Sequence, residues 1–196
     1  MIIEQPLFTI PLFYKDIDNA EHHKKDFMTA LISYERTMSN DNIRHVKTWQ
    51  TPNDLHINPV FEPVIESISD MIYEVKDRYK LSDTETTGID SMCGLSINVD
   101  GKMLPTFQTG GFMHGLYFIE VPKEIKVTFN NIIPDRSYFP NIFSFESNDV
   151  NSDFYSIDAK EGQMLMCPSF VSIESNINFA SKALRYLYFT IRTQVL

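Results

Sequence analysis

The chain is short of the side chains that most metal and nucleophile chemistry needs. Its 196 residues include five histidines and two cysteines. No HExxH, paired CxxC, glycine-rich phosphate loop or GxSxG occurs, so Ser and Cys nucleophiles have no placed base. Cys93 and Cys167 lie inside the apolar runs SMCGLSI and MLMCPSF. They read as buried small side chains in a reducing compartment rather than as a bridge. Seven glycines leave little room for flexible linkers, and no internal repeat is present. Positive charge is also scarce, with 17 Lys and Arg against 26 Asp and Glu and a formal charge of −9. No basic stripe could neutralise a run of phosphates, which argues against nucleic acid as a direct partner. No apolar run approaches bilayer length. The segment MIIEQPLFTIPLF lacks the basic start and unbroken apolar middle of a signal peptide, so the expectation is a soluble, unsecreted protein with no membrane partner.

What is plentiful is aromatic and branched apolar side chain, including 15 Phe and 9 Tyr, enough for one substantial core. The expectation is a single domain over 1–196. In it, a strand and helical support run to about residue 85, and a barrel follows from about 90. LFTIPLFY (Leu7 to Tyr14) reads as an entry strand that Pro11 confines to an edge. Residues 16–38 place Phe27, Ala30, Leu31 and Tyr34 on one helical face. In FEPVIESISDMIYEVKDRYKL, Val64, Ile65, Ile68, Met71, Ile72, Val75 and Tyr79 recur at three- and four-residue steps, predicting a core-packing helix. From Ser91 the period becomes that of strands: SMCGLSINV, HGLYFIEV, EIKVTF, NIFSFES, DFYSIDA, GQMLMC and ALRYLYFTIRT, separated by turn signals. Two helices followed by seven or eight short strands predict an α+β fold, an antiparallel double-stranded β-helix or jelly roll backed by the N-terminal helices.

Several stretches are more specific. Phe8 to Pro11, Ser39-Asn40, Trp49-Gln50-Thr51, Asp54-Leu55-His56 and the helix from about Phe61 occur in that order. They are followed by Pro105-Thr106-Phe107-Gln108, then His114-Gly115-Leu116-Tyr117-Phe118-Ile119, then Glu161-Gly162-Gln163-Met164-Leu165-Met166-Cys167-Pro168-Ser169-Phe170. This succession resembles the small 2-oxoglutarate/Fe(II) oxygenases common in tailed phages, whose members carry Trp-Gln-Ser before Asp-Leu-His, then Pro-His-x-His, a Ser-Gly-Val-Tyr-Tyr-Leu strand and Pro-Gly-x-Leu-x-x-Phe-Pro-Ser-Trp. The resemblance implies the double-stranded β-helix. It also implies iron ligands at Thr106, Gln108 and Ile173, and at Arg185 a partner for the distal carboxylate of 2-oxoglutarate. The motif loop of Trp49, Gln50, Asp54 and His56 is kept, whereas the ligand positions are not.

An Fe(II) centre of this type needs two imidazoles and a carboxylate, or a close variant, with open positions beside them. Thr106, Gln108 and Ile173 would supply one weak amide oxygen, and Arg185 could simply pair with an acidic residue. The site therefore reads as vestigial, with no catalytic residue, no metal and no cofactor expected. Of the histidines, His22 and His23 lie on a polar helix face and His45 in a charged loop. His56 reads as bonding the backbone of its loop. His114 could point into the barrel, where a lone histidine reads as a satisfied polar residue before it reads as a ligand. Gly110-Gly111 reads as a turn or bulge needing positive φ. The stretch Ile133 to Ser156 is either a docking loop or plain loop and strand.

Three functions follow. The first is a non-catalytic oxygenase-like protein, a pseudoenzyme serving as a structural or assembly component of a tailed-phage virion, in the particle or the host cytoplasm. Its partners would be other phage structural proteins or further copies of itself. The alternative is an Fe(II)/2-oxoglutarate-dependent oxygenase with a rearranged metal site. The third is a binding module that keeps the cavity, with Arg185 as anion anchor.

Overall fold

The computed structural model describes residues 10–38, 47–81, 85–130 and 154–195. Two sheets face each other, and two helices cover the outer face of the larger one. In chain order the elements are β1 (Phe13–Asp16), α1 (Ala20–Thr37), β2 (Thr48–Gln50), two 3₁₀ turns (Leu55–Ile57 and Pro59–Phe61), α2 (Glu62–Tyr79), β3 (Glu85–Ile97), β4 (Met113–Glu120), β5 (Lys126–Asn130), β6 (Phe154–Asp158), β7 (Gln163–Pro168), β8 (Ser172–Ser175) and β9 (Leu184–Val195). The larger sheet runs β1-β7-β4-β9-β3-β2 and the smaller β6-β5-β8. Every named pairing is antiparallel. This is the α+β arrangement predicted, a double-stranded β-helix backed by helices.

Both helices form where the apolar period requires them. α2 starts with Pro63 in its first turn and ends at Lys80, whose φ of 53° stops the helix. Val64, Ile68, Met71, Ile72 and Val75 are buried along one face. Full burial of such side chains stabilises by roughly 1.5–3 kcal/mol each. They share a core with Phe27 and Leu31 of α1 and with Met92, Met113, Tyr117, Leu187 and Phe189 of the large sheet. A second core, with Ile97, Leu116, Phe118, Val127, Leu165, Cys167, Ile173 and Tyr186, fills the space between the sheets.

The central strands are therefore covered on both sides. All eight residues of β4 are buried. Met113, Tyr117 and Ile119 go to the helix core, and Leu116 and Phe118 go to the inter-sheet core. That explains a strand sequence with no polar alternation. Gly115 is required by close approach: a Cβ there would stand 2.3 Å from the Leu165 carbonyl oxygen and 2.4 Å from the Phe189 ring.

Some boundaries differ from expectation. The first strand begins at Phe13 rather than Leu7, and residues 7–9 lie outside the described ones. It does occupy an edge, as Pro11 predicted. β8 was not foreseen, because four residues carry too little period to register. Ser39-Asn40, His45, the NIFSFES strand and most of Ile133 to Ser156 lie outside the described residues. The end of that stretch forms part of β6, where Phe154 and Tyr155 are exposed.

Candidate functional site

A cleft of about 240 Å³ opens between the two sheets. One wall comes from β3 and β9, which pair along twelve register positions and turn alternate side chains inward, so that Ser91, Cys93 and Leu95 stand beside Tyr186 and Tyr188. The opposite wall comes from the segment after β3, through Met103, Thr106 and Gln108, and from Ile173 of β8. Gln50 at the end of β2 and the exposed Asn53 complete the rim, with the Gln50 Nε2 donating to Asn53 Oδ1 at 2.9 Å.

The positions that the family resemblance assigns to metal ligands meet here. Thr106 and Ile173 form an antiparallel bridge, with Thr106 N–H donating to the Ile173 carbonyl at 2.9 Å and Ile173 N–H to the Thr106 carbonyl at 3.0 Å. Gln108 is anchored by its N–H to the Ser169 carbonyl at 2.8 Å. The turn that follows has Gly110 at φ 82°, where L-residues are strained. Gly111 lies against Ser169, whose hydroxyl donates to the Gly111 carbonyl.

Arg185 is not in the cleft. Its neighbours on β9 alternate: Tyr186 and Tyr188 face the cleft, while Leu187 and Phe189 face the helices. Arg185 shares the helix-side parity. Its guanidinium meets the Glu120 carboxylate at 2.5 Å and Glu35 of α1 at 3.6 Å, and Lys182 approaches Glu120 at 3.2 Å. A bulge in β4 between Phe118 and Glu120 brings the acid opposite the arginine. The expected partner for a 2-oxoglutarate carboxylate is instead tied into a half-buried ion-pair network, and the anion-anchor role falls with it.

The motif loop is split. Trp49 pairs with Ser96 within the large sheet, and its indole reaches the Met38 carbonyl at 3.5 Å. Gln50 lines the cleft. Asp54 bridges to Met92 and is exposed. His56 is half-buried in the first 3₁₀ turn, and its buried Nδ1 meets no hydrogen-bond partner among the described residues.

The interior holds a hydrogen-bonded pair that sequence reading did not assemble. His114 is fully buried, with Nδ1 3.0 Å from the Tyr188 hydroxyl. Burial pulls its pKa down to about 4, which the nearby Val171 backbone partly offsets, although Nε2 meets no partner with hydrogen-bond geometry. Burial pushes Tyr188 up to about 12, which the nearby Gln108 amide partly counters. Cys93 is likewise held as a thiol, pushed up to about 12 by burial. At neutral pH these groups are uncharged. The parity of Tyr186 and Tyr188 in LRYLYFTI was the signal available, since it excludes Arg185 from their face.

The fold defined by these sheets is that of the Fe(II)/2-oxoglutarate oxygenases. No family model matches the sequence, and no curated protein matches it. Among similar solved structures, HygX from Streptomyces hygroscopicus with nickel, 2-oxoglutarate and hygromycin B bound has a TM-score of 0.62 at 12% identity, over 94% of this chain and 83% of that one. A Pseudomonas putida prolyl-4-hydroxylase has a TM-score of 0.62 at 6% identity, over 94% and 93%. The viral collagen prolyl hydroxylase of Paramecium Bursaria Chlorella virus-1, as a 2-oxoglutarate complex, has 0.56 at 10%, over 92% and 94%.

These likenesses correct one expectation. The chain was expected to belong with no cofactor, yet similar structures hold nickel with 2-oxoglutarate, and HygX also binds iron. The local donor set is a separate matter. Thr106 donates its hydroxyl to the Leu104 carbonyl at 2.8 Å, Gln108 offers a single neutral amide oxygen, and Ile173 has no donor atom. Among the described residues no three His, Cys, Asp or Glu side chains gather as a metal site. The residues at these positions do not fit the imidazole-carboxylate set that holds Fe(II).

Proposed function

We propose that this chain is an oxygenase-fold protein working by binding rather than by iron-dependent oxygenation, as a structural or assembly component of a tailed-phage particle. The observation that carries the non-catalytic part is the Thr106–Ile173 bridge, which puts an engaged hydroxyl and an alkyl side chain together at the cleft wall. Fold and site chemistry are separable, so a double-stranded β-helix can persist as scaffold after its donors are replaced. The phage setting, and with it other phage structural proteins or further copies of this chain as partners, is supported only by the sequence resemblance.

A second reading has its own support. The metal and 2-oxoglutarate in HygX favour an Fe(II)/2-oxoglutarate oxygenase with rearranged ligands. One assay separates the two. Purified protein reconstituted anaerobically with Fe(II) is given 2-oxoglutarate and O₂, and succinate formation is followed. The first reading expects no turnover above free iron; turnover that is lost in His114→Ala establishes the second. Mass spectrometry of purified particles tests the structural role, and absence of the protein from them removes it.

A further inference from the structure

The cleft has a composition unlike an anion site. Among the described residues its lining includes no Asp, Glu, Lys, Arg or His, and the nearest arginine along β9 is committed to Glu120 and Glu35 on the other face. A dicarboxylate entering it would lose hydration at both ends without meeting a counter-charge, which is strongly unfavourable. The lining is nevertheless polar. Gln50, Asn53, Ser91, Thr106, Gln108 and Tyr188, all with amide or hydroxyl groups, line the cleft.

A buried hydrogen bond fixes one wall of that space. His114 Nδ1 and the Tyr188 hydroxyl stand 3.0 Å apart, which joins β4 to the Tyr188 side of the cleft. Gln108 lines the cleft together with Tyr188, and its amide carries both an acceptor oxygen and N–H donors. Thr106, its hydrogen spent on Leu104, likewise keeps acceptor lone pairs. A ligand therefore finds acceptor oxygens at Thr106 and Gln108 and the Gln50–Asn53 amide pair at the rim. It must also lie against the apolar surfaces of Leu95, Leu116 and Ile173. A molecule with several hydroxyls on a carbon frame does this, because each hydroxyl both donates and accepts and the C–H faces pack on apolar side chains. The volume, about 240 Å³, falls below the roughly 300–1,000 Å³ usual for drug-sized ligands, which limits the occupant to about one sugar ring.

Resting on the reading of this cleft as a binding site rather than an iron centre, we propose that it takes one small uncharged polyhydroxyl ligand of monosaccharide size, with Gln108 and Tyr188 determining specificity. The test is ligand-observed NMR and calorimetry on the full chain with D-glucose, D-galactose, D-ribose and myo-inositol, and with 2-oxoglutarate and succinate with and without Mn(II). Saturable binding of at least one neutral probe is expected, weakened at least tenfold by Gln108→Leu and by Tyr188→Phe and unchanged by Tyr73→Ser on the exposed side of α2. If Gln108→Leu does not fold, Tyr188→Phe carries the comparison. Failure of all four neutral probes to saturate overturns the proposal, as does binding that Tyr188→Phe leaves untouched, or 2-oxoglutarate bound more tightly than any of them. Failure here with no succinate formed leaves the non-catalytic reading standing, whereas succinate formation removes that reading.

Discussion

Thr106 and Ile173 hydrogen-bond to each other through their backbones in both directions, at 2.9 and 3.0 Å, and so join the segment after β3 to β8 at the wall of the cleft. Positions that adjoin in this way can hold two ligands of one metal if the side chains are suitable. Here they are a threonine, whose hydroxyl donates to the Leu104 carbonyl, and an isoleucine.

Whether these positions converge can be tested by supplying donors. The triple variant Thr106→His, Gln108→Asp, Ile173→His is expected to bind Co(II) at least about tenfold more tightly than the parent chain, with a new visible absorption band. A Co(II) titration followed by absorbance reads it. Equal affinity in the two proteins would mean that these three positions do not converge on one ion.

The Arg185 network predicts a stability effect without a binding effect. The Arg185 and Glu120 side chains are only 17% and 11% exposed, and removing one member of such a pair leaves the other charge buried and unpaired. Arg185→Ala is expected to lower the unfolding free energy by about 3 kcal/mol, measured by urea denaturation. Arg185→Met combined with Glu120→Met recovers most of the loss. A change below about 0.5 kcal/mol, the size of an ordinary surface substitution, would show that the network contributes little.

His114 predicts acid sensitivity. Its folded pKa of about 4 lies below the ordinary 6.5, so between those values the unfolded chain binds more protons and stability rises with pH. The contribution is complete above about pH 6.5 and is lost as pH falls toward 4, by roughly 3 kcal/mol for a shift of this size. Urea midpoints of the wild type and His114→Gln across pH 4–7 check it. The difference between the two curves should narrow as pH falls, and a constant difference would show that the imidazole is not held neutral by burial.

Two glycines of the large sheet should respond oppositely to the same change. At Gly115 a Cβ meets backbone and ring atoms inside 3 Å, whereas at Gly88 it meets nothing within 4 Å. Gly115→Ala is expected to cost about 3 kcal/mol, and Gly88→Ala to be neutral or stabilising by up to about 1 kcal/mol. Thermal unfolding of the two variants decides whether β4, β7 and β9 are as close-packed as described.

Much of the architecture was legible from period. The stripe from Val64 to Val75 gave α2, and the short Ile-, Val- and Phe-rich runs gave β4, β5, β7 and β9, because burial on one or both faces constrains those residues directly. Pro11 told of an edge. The motif order also pointed to Thr106, Gln108 and Ile173 together, and all three line one cleft. The hydrogen-bonded pair of His114 and Tyr188 was not legible, since its members lie on two strands whose adjacency depends on strand register. Tyr188 opposes Leu116 across β4, two positions from His114, and no local pattern expresses that.

By itself the sequence determined that the chain is an α+β protein with helices before a run of antiparallel strands, and that strong metal donors are missing where the resemblance places them. Both are properties of residue type and local spacing. Which side of β9 each residue faces was left to the tertiary structure. The β4 bulge set Glu120 against Arg185 on the helix side, while Tyr186 and Tyr188 went to the cleft. One residue of register turns a side chain from one face of a sheet to the other, and register is settled by what packs above and below the strand.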